Sequence, residues 1–254
     1  MRTRRLLFSV LLIGVIFAIA MKSDPPDELI YTSDFNLQRS TIFLPNSDNT
    51  YYPLKAGHYT RLEGIQDGDF IRLETTVLNQ IRPIIFRTKN RAKMVLARVV
   101  EEREWVNGEL VEVDLKYLAA CPNTGNVYNF GESVKIYENG RVVSREGSWM
   151  AGQKNAQPGL LMPEIFLHGA RYTQAIAPGV TEDRSENLEM GLKTITKAGT
   201  FENCIKVLET SPLEPDEEAI IIYAPGVGII ADEELLLVEY SADRSLVQTV
   251  DDSR

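Results

Sequence analysis

The sequence predicts an all-β protein whose mainly antiparallel sheet is curved or partly closed. Three observations lead to this fold class. Residues 109–117 alternate strictly between apolar and polar side chains, which is typical of a strand with one buried face. Asn-Gly pairs at 107–108 and 139–140 are strong signals for two-residue hairpin turns. After residue 49, short apolar runs are separated by Gly, Pro and Asn, with none of the βαβ alternation of a doubly wound fold.

The first 21 residues predict a signal peptide or an N-terminal membrane anchor, with a helix in its apolar part. Three arginines precede an uncharged, mostly apolar run at 6–21, and Ala18 and Ala20 supply the small residues of a cleavage site. A run of this length spans ~24 Å as a helix, less than the ~30 Å hydrocarbon core, which favours cleavage over anchoring. We therefore expect an exported protein, periplasmic or extracellular, with a tether to the membrane as the alternative. Residues 22–48 are polar and predict a spacer.

The region 49–240 is expected to form a single antiparallel β domain, followed by a polar tail at 241–254. In the alternating segment, Val113 and Tyr117 belong to the predicted buried face, and Asp114 belongs to the predicted solvent face together with Glu112 and Lys116. A two-residue loop at 139–140 would pair Tyr137 with Val142 and Ile136 with Val143. Further strands are expected at 58–63, 69–77, 93–103, 126–130, 134–138, 141–149, 171–177, 187–194, 202–210, 218–223, 227–231 and 234–240.

Residues 151–169 predict a long loop, with one helical turn at 163–167. Large apolar residues flank it or lie within it. They either line the wall of an apolar ligand cavity or fill the core beneath the loop, and the second interpretation is the more common one. The acidic run at 214–218 is interpreted as a solvated turn. The candidate ligand-binding residues are Trp149, Met162, Phe166 and Tyr172.

Cys121 and Cys204 are the only cysteines. In an exported chain they are candidates for a disulfide, and the alternative is two separate buried thiols, which the sequence favours because Cys121 begins a turn and Cys204 lies within a predicted strand. The two histidines, His58 and His168, are far apart and belong to no zinc motif. The sequence predicts no metal site and no cofactor.

Composition restricts the partners. The formal net charge is −9 and the pI is about 4.9, so this acidic protein is not expected to bind nucleic acid. No catalytic residue is predicted, because no nucleophile elbow or phosphate-binding loop is present. A hydrolase that acts through two carboxylates would escape a motif search, with Glu146 or the pair Glu182 and Asp183 as its candidates.

Six motifs occur in order along the chain: YYPLKxG, GNVYxxGE, EGSWxAG, PGxxMP, APGVxED and YAPGVG. Together they resemble a family of uncharacterised bacterial exported proteins, many of them putative lipoproteins. The resemblance covers about residues 49–240, and the chain lacks the lipidation cysteine that many relatives carry after the signal. More distantly, the last motif is similar to periplasmic half-barrel proteins that carry lipid-modified proteins. The resemblance implies an envelope location and no catalytic residues.

These observations predict an exported cell-envelope protein that acts as a non-catalytic binding or interaction module. The alternatives are a carboxylate-based, carbohydrate-active hydrolase and a structural envelope component, so enzymatic activity stays open, although the sequence favours its absence. The expected partner is an apolar small molecule or another envelope protein. Membrane contact is expected only through residues 6–21, if that segment is not cleaved.

Overall fold

The computed structural model describes residues 29–35, 37, 41–88 and 91–243. The predicted signal or anchor helix at 1–21 lies outside them, as do parts of the spacer and the tail. The described chain is all-β, as the sequence predicts, and it contains no helix. The strands are β1 (Tyr59–Gln66), β2 (Asp69–Thr88), β3 (Arg91–Val106), β4 (Glu109–Ala120), β5 (Val127–Glu138), β6 (Arg141–Ser144), β7 (Trp149–Met150), β8 (Gln157–Met162), β9 (Arg171–Thr173), β10 (Ala175–Ile176), β11 (Arg184–Thr196), β12 (Gly199–Ser211), β13 (Glu214–Ala224), β14 (Gly228–Asp232) and β15 (Leu235–Ser241).

In the described ranges, no segment forms an apolar helix long enough for a bilayer crossing.

All fifteen strands belong to one antiparallel sheet, in the order β10-β8-β5-β4-β3-β2-β1-β15-β14-β13-β12-β11-β9, with β6 and β7 paired to β5. The two end strands, β9 and β10, are consecutive in the chain and only Gln174 separates them. The sheet therefore curves until its two ends meet at this short segment, although no continuous ladder closes it into a barrel.

Both predicted Asn-Gly turns join neighbouring strands. The φ angles of Asn107 and Gly108 are 52° and 87°, and those of Asn139 and Gly140 are 51° and 72°, as a type I′ turn requires. The predicted pairing of Tyr137 with Val142 is confirmed. The predicted pairing of Ile136 with Val143 is wrong, because a bulge shifts the register and Ile136 faces Ser144.

Two predicted loops contain strands. The segment 151–169 includes β8, which pairs with β5 and β10, and it forms no helical turn. A Cβ at Gly159 would lie 2.2 Å from the carbonyl oxygen of Gln174, so only glycine allows these two backbones to approach. The acidic run at 214–218 begins β13 rather than forming a solvated turn.

Apolar side chains pack on both faces of the sheet. Tyr117 and Ala119 of β4 belong to a cluster on one face, whereas Leu118 and Ala120, which alternate with them, belong to a cluster on the other. A third cluster, which includes Leu62 and other residues of β1, β2, β14 and β15, extends the packing. The predicted half-buried strand at 109–117 is therefore buried on both faces at its centre, and Asp114 does not face solvent.

Candidate functional site

A cavity of about 120 Å³ lies inside the curve of the sheet, and acidic side chains dominate its wall. Gln66, Asn129 and Gln174 add amide groups, and Tyr52 and Tyr223 add phenol groups. Among the described residues that line the wall, Lys116 is the one basic side chain. The acidic residues are Glu102, Glu104, Glu112, Asp114, Glu132, Asp183, Glu209, Glu217, Glu218, Asp232 and Glu233.

The two-residue period of the strands explains why charges gather here. On β3, buried Val100 is followed on the same face by Glu102 and Glu104. On β4, Leu118 is similarly preceded by Lys116 and Asp114. The inner face of the sheet is thus apolar along one part of each strand and charged along the next, and the cavity lies at the charged part.

Lys116 lies among carboxylates of three strands. The sheet register places Glu102 opposite Asp114 and Lys116 opposite Glu132. The Nζ atom of Lys116 forms an ion pair with Oε2 of Glu102 at 2.6 Å. Burial lowers the pKa of Lys116, but Glu102 and Asp114 outweigh this effect and hold it well above its ordinary value. Lys116 is therefore a fixed positive charge in a wall whose other ionisable side chains, among the described residues, are acidic or phenolic.

Asp114 and Glu132 carry carboxylate oxygens that lack hydrogen-bond partners. The Asp114 side chain is 3% exposed, and both of its oxygens are unpaired. In Glu132, Oε1 accepts a hydrogen bond from Nδ2 of Asn129 at 2.6 Å, whereas Oε2 accepts none. Burial, and then the charge of Glu132, raise the pKa of Asp114 well above its ordinary value. Burial also raises the pKa of Glu132, against the opposing effect of Lys116.

The opposite wall holds better-satisfied carboxylates. Glu209 Oε1 accepts hydrogen bonds from Nε2 of Gln174 at 3.0 Å and from the Tyr223 hydroxyl at 3.4 Å. Asp183 Oδ2 accepts one from the Thr181 hydroxyl at 2.8 Å. Burial raises the pKa of Glu209, of Asp183 and of Asp232. Because Gln174 joins the two end strands, the junction of the sheet also contributes a donor to the site.

The four predicted ligand-binding residues are buried but do not line this cavity. Trp149 and Tyr172 pack in one apolar cluster, and Met162 and Phe166 pack in the cluster on the other face. Trp149 faces Glu132 across β7 and β5, and its indole opposes the rise in the pKa of that carboxyl. A direct role of the four residues in ligand binding stays a prediction.

The structure separates the other candidate groups. Cys121 and Cys204 are free, buried thiols in different clusters, so the candidate disulfide is not formed. Glu146 is exposed in a turn. Glu182 accepts a hydrogen bond from the Gly179 amide on the outer side, whereas Asp183 lies in the cavity wall, because neighbouring residues of an extended chain point in opposite directions.

No three His, Cys, Asp or Glu side chains of the described residues are close enough together to hold a metal ion.

Sequence reasoning missed Glu102, Glu132, Glu209 and Asp232, and it placed Asp114 on a solvent face. A signal was present in β4, where the apolar run Tyr117–Ala120 directly continues the alternating segment. Such a run requires two buried faces. Extending that requirement backwards along the strand would have placed Asp114 and Lys116 inside.

No family model, curated protein or solved structure matches this chain. The likeness to exported lipoproteins stays a prediction.

Proposed function

We propose that this protein is an exported binding protein of the cell envelope and that its acidic cavity binds a small organic cation, a protonated amine. The observation that carries the proposal is Asp114, whose two carboxylate oxygens are buried in the cavity wall without a hydrogen bond partner. A buried carboxylate left in this state costs free energy, which a cationic ligand with N–H donors would recover.

The charge of the wall selects for a cation. One lysine faces eleven acidic residues in the lining, and Glu217 and Glu218 carry the negative charge out to exposed positions. A concave acidic surface with apolar walls concentrates positive ligands. The apolar molecule that the sequence suggested as a partner would leave these carboxylates unpaired, so the structure favours a polar, positive ligand over it.

The size and layout of the cavity favour an organic amine. Its volume of about 120 Å³ is somewhat below the ~150 Å³ of a cavity that accepts benzene. The carboxylates come from several strands and are distributed around the wall, which suits a short alkyl chain with an ammonium group at each end. Asp114 and Glu132 would accept hydrogen bonds from one ammonium group, and Glu209 would accept from the other.

Lys116 favours binding over covalent chemistry. Its raised pKa keeps the side chain as an ammonium ion, which is not nucleophilic. It also neutralises Glu102, so the cavity has a fixed internal cation and leaves Asp114 and Glu132 for the ligand. This division of roles supports a binding site that already contains one ammonium group and accepts a second.

A carboxylate hydrolase is the second candidate function. The observation that favours it is the raised pKa of Asp114 beside that of Glu132, because a protonated carboxyl next to an ionised one can act as an acid and base pair. Release of product from aryl glycosides by the wild type, and its loss in both Asp114→Asn and Glu132→Gln, would establish this function in place of binding alone.

Calorimetric titration tests the binding proposal. The full chain is titrated with 1,4-diaminobutane, butylamine and the neutral 1,4-butanediol. We expect saturable binding of the diamine, weaker binding of the monoamine and none of the diol. Asp114→Asn should weaken diamine binding about tenfold or more, since a hydrogen bond to a charged group contributes about 1.5–3 kcal/mol.

Glu189→Gln is the matched control, because Glu189 is an exposed carboxylate of β11 outside the cavity wall. It should bind the diamine as the wild type does. Equal binding of diamine and diol, or equal affinity of Asp114→Asn and the wild type, would contradict the proposal. If neither binding nor hydrolysis is measured, a structural envelope component is the better explanation.

The export part of the proposal rests on the N-terminal sequence and needs its own test. A reporter that is active only outside the cytoplasm should lose activity when residues 1–21 are deleted from a fusion of the full chain. N-terminal sequencing of the exported product should show cleavage after Ala20. An intact N-terminus would instead establish a membrane anchor, and activity without residues 1–21 would contradict export by this segment.

A further inference from the structure

A second region of the molecule differs from the cavity in the sign of its charge, because its ionisable residues are basic. The pairing of β1 with β2 ends at Thr76, and the pairing of β3 with β4 ends at Arg98. Beyond these points β2 and β3 pair only with each other, from Ile81 opposite Arg98 to Thr88 opposite Arg91. We call the described residues 81–88 and 91–97 the basic arm.

The basic arm has one buried face and one exposed apolar face. Ile84, Phe86, Val95 and Ala97 are buried in the large apolar cluster. The opposite face exposes Ile85 at 65% and Met94 at 63%, and these two residues lie directly across the ladder from each other. Pro83 and Leu96 form the next exposed pair, and Ile81 extends the row, so the side chains form one continuous patch.

The charge of this segment differs from that of the rest of the chain. The whole chain has 36 acidic and 27 basic residues. Residues 75–100 contain no acidic residue, while their basic residues are Arg82, Arg87, Lys89, Arg91, Lys93 and Arg98. Arg87 is exposed and shares the face of Ile85 and Met94, whereas Arg82 alternates with that row and lies on the opposite face, where its Nη1 donates to the Tyr117 hydroxyl at 2.8 Å.

The basic arm is held against the domain, so its apolar face is presented in a fixed direction. Phe86 packs on Phe130 with ring centroids 5.4 Å apart. A Cβ at Gly152 would lie 2.8 Å from Cα of Phe86, which shows how closely the loop after β7 covers the buried face of the arm. Arg98 at its base donates to the carbonyl oxygens of Pro45 and Leu78.

We propose that the exposed face of the basic arm docks on a bilayer surface that contains anionic lipids. Exposed aliphatic side chains beside a basic side chain, here Arg87, are typical of interfacial membrane-binding segments, in which the apolar groups enter the headgroup boundary and the cations contact lipid phosphates. A protein with net charge −9 would otherwise be repelled from such a surface, and the absence of acidic residues from 75–100 removes that repulsion locally.

The exposed apolar row and the local absence of acidic residues carry this choice of partner whether or not residues 1–21 are cleaved. If residues 6–21 anchor the chain, the eight residues from 22 to 29 span at most about 28 Å, which keeps the described domain near the bilayer. The proposal goes beyond the cavity and does not depend on the ligand. It also extends the expected membrane contact from residues 6–21 to the domain itself.

A fluorescence experiment on the full chain tests the contact. Ile85→Trp places a reporter in the patch, and Ile195→Trp is the matched control, because Ile195 is 70% exposed on β11 of the same sheet. Both variants are reconstituted with vesicles of anionic or zwitterionic lipid that carry brominated acyl chains. The difference from the wild type removes the signals of Trp105 and Trp149.

We expect a blue shift and quenching of the reporter at position 85 in anionic vesicles, and neither change at position 195. Adding Arg87→Glu, or raising the salt to about 1 M, where the screening length is ~3 Å, should reduce the quenching at least twofold. The proposal would be overturned by equal quenching at positions 85 and 195, by the absence of quenching at position 85, or by quenching at position 85 that is the same in anionic and zwitterionic vesicles. A shift at position 85 that depends on protein concentration without lipid would assign the face to a second copy of this chain instead.

Discussion

The strand β3 belongs to two regions with opposite chemistry. Its first part exposes Met94 and Leu96 to solvent within the basic arm, and its last part directs Glu102 and Glu104 into the cavity. An ordinary globular strand would reverse these positions, with the apolar residues inside and the carboxylates outside. Exposed apolar residues and buried carboxylates lower stability, so they are the clearest indications of sites that interact with a surface or a ligand.

The largest expected effect is on the cavity and follows from removing Lys116, the cation of the described cavity wall. Lys116→Met should lower the free energy of unfolding by about 3–5 kcal/mol, because Glu102 would lose its partner in a buried setting. Urea unfolding measures the loss. The control is Lys193→Met, since the Lys193–Glu202 pair is exposed and should contribute about 0–1 kcal/mol. Similar losses in the two variants would show that the charge network is not specific to the cavity.

Substitutions on the two faces of the basic arm should differ in their effect on the free energy of unfolding almost as much as the two lysine variants do. Phe86→Ala removes a buried ring and should cost about 3 kcal/mol or more. Ile85→Ala, one residue away on the exposed face, should change the free energy of unfolding by less than about 0.5 kcal/mol. Urea unfolding of both variants checks the contrast. A large loss of stability in Ile85→Ala would mean that another part of the molecule covers the apolar patch.

The cavity also predicts an unusual dependence of stability on pH. Burial raises the pKa values of Asp114, Asp183, Asp232, Glu132 and Glu209 in the folded state. As the pH rises above the ordinary carboxyl pKa of about 4, the unfolded chain ionises first, so the free energy of unfolding falls towards the raised values.

Each such group contributes at most about 1.4 kcal/mol per pH unit. Urea unfolding between pH 5 and pH 8 should show a shallower decrease in Asp114→Asn than in the wild type. The comparison of the two proteins cancels the opposite contribution of His58, whose pKa is lowered by burial. Parallel slopes would contradict the assignment of a buried, raised-pKa carboxyl at this position.

The smallest expected effect concerns the opposite wall of the cavity. Tyr223→Phe removes one donor from Glu209 but leaves the bond from Gln174, so the free energy of unfolding should fall by about 1 kcal/mol. Diamine binding measured by calorimetry should change less than in Asp114→Asn. A larger effect of Tyr223→Phe on binding would move the centre of the site to the wall that contains Glu209.

Much of the fold was predictable because its signals are local. The Asn-Gly turns at 107–108 and 139–140 and the alternation at 109–117 fix turns and strands through neighbouring residues alone. The strand β8 was missed because it is stabilised by pairing with β5 and β10, which are distant in sequence. The bulge that pairs Ile136 with Ser144 instead of Val143 likewise depends on contacts that no local sequence pattern encodes.

The candidate site could not be assembled from the sequence, although each strand carried part of it. Whether Asp114 faces water or a cavity depends on what covers its side of the sheet, and that is decided by β12, β13 and β14 on the far side of the curve. By itself the sequence determined the all-β class, both hairpin turns and the acidity of the chain, since these depend on short-range sterics and composition. Only the tertiary structure decided that Lys116 and its carboxylates share one buried space. The reason is that the curvature of the sheet depends on the twist and pairing of all its strands together.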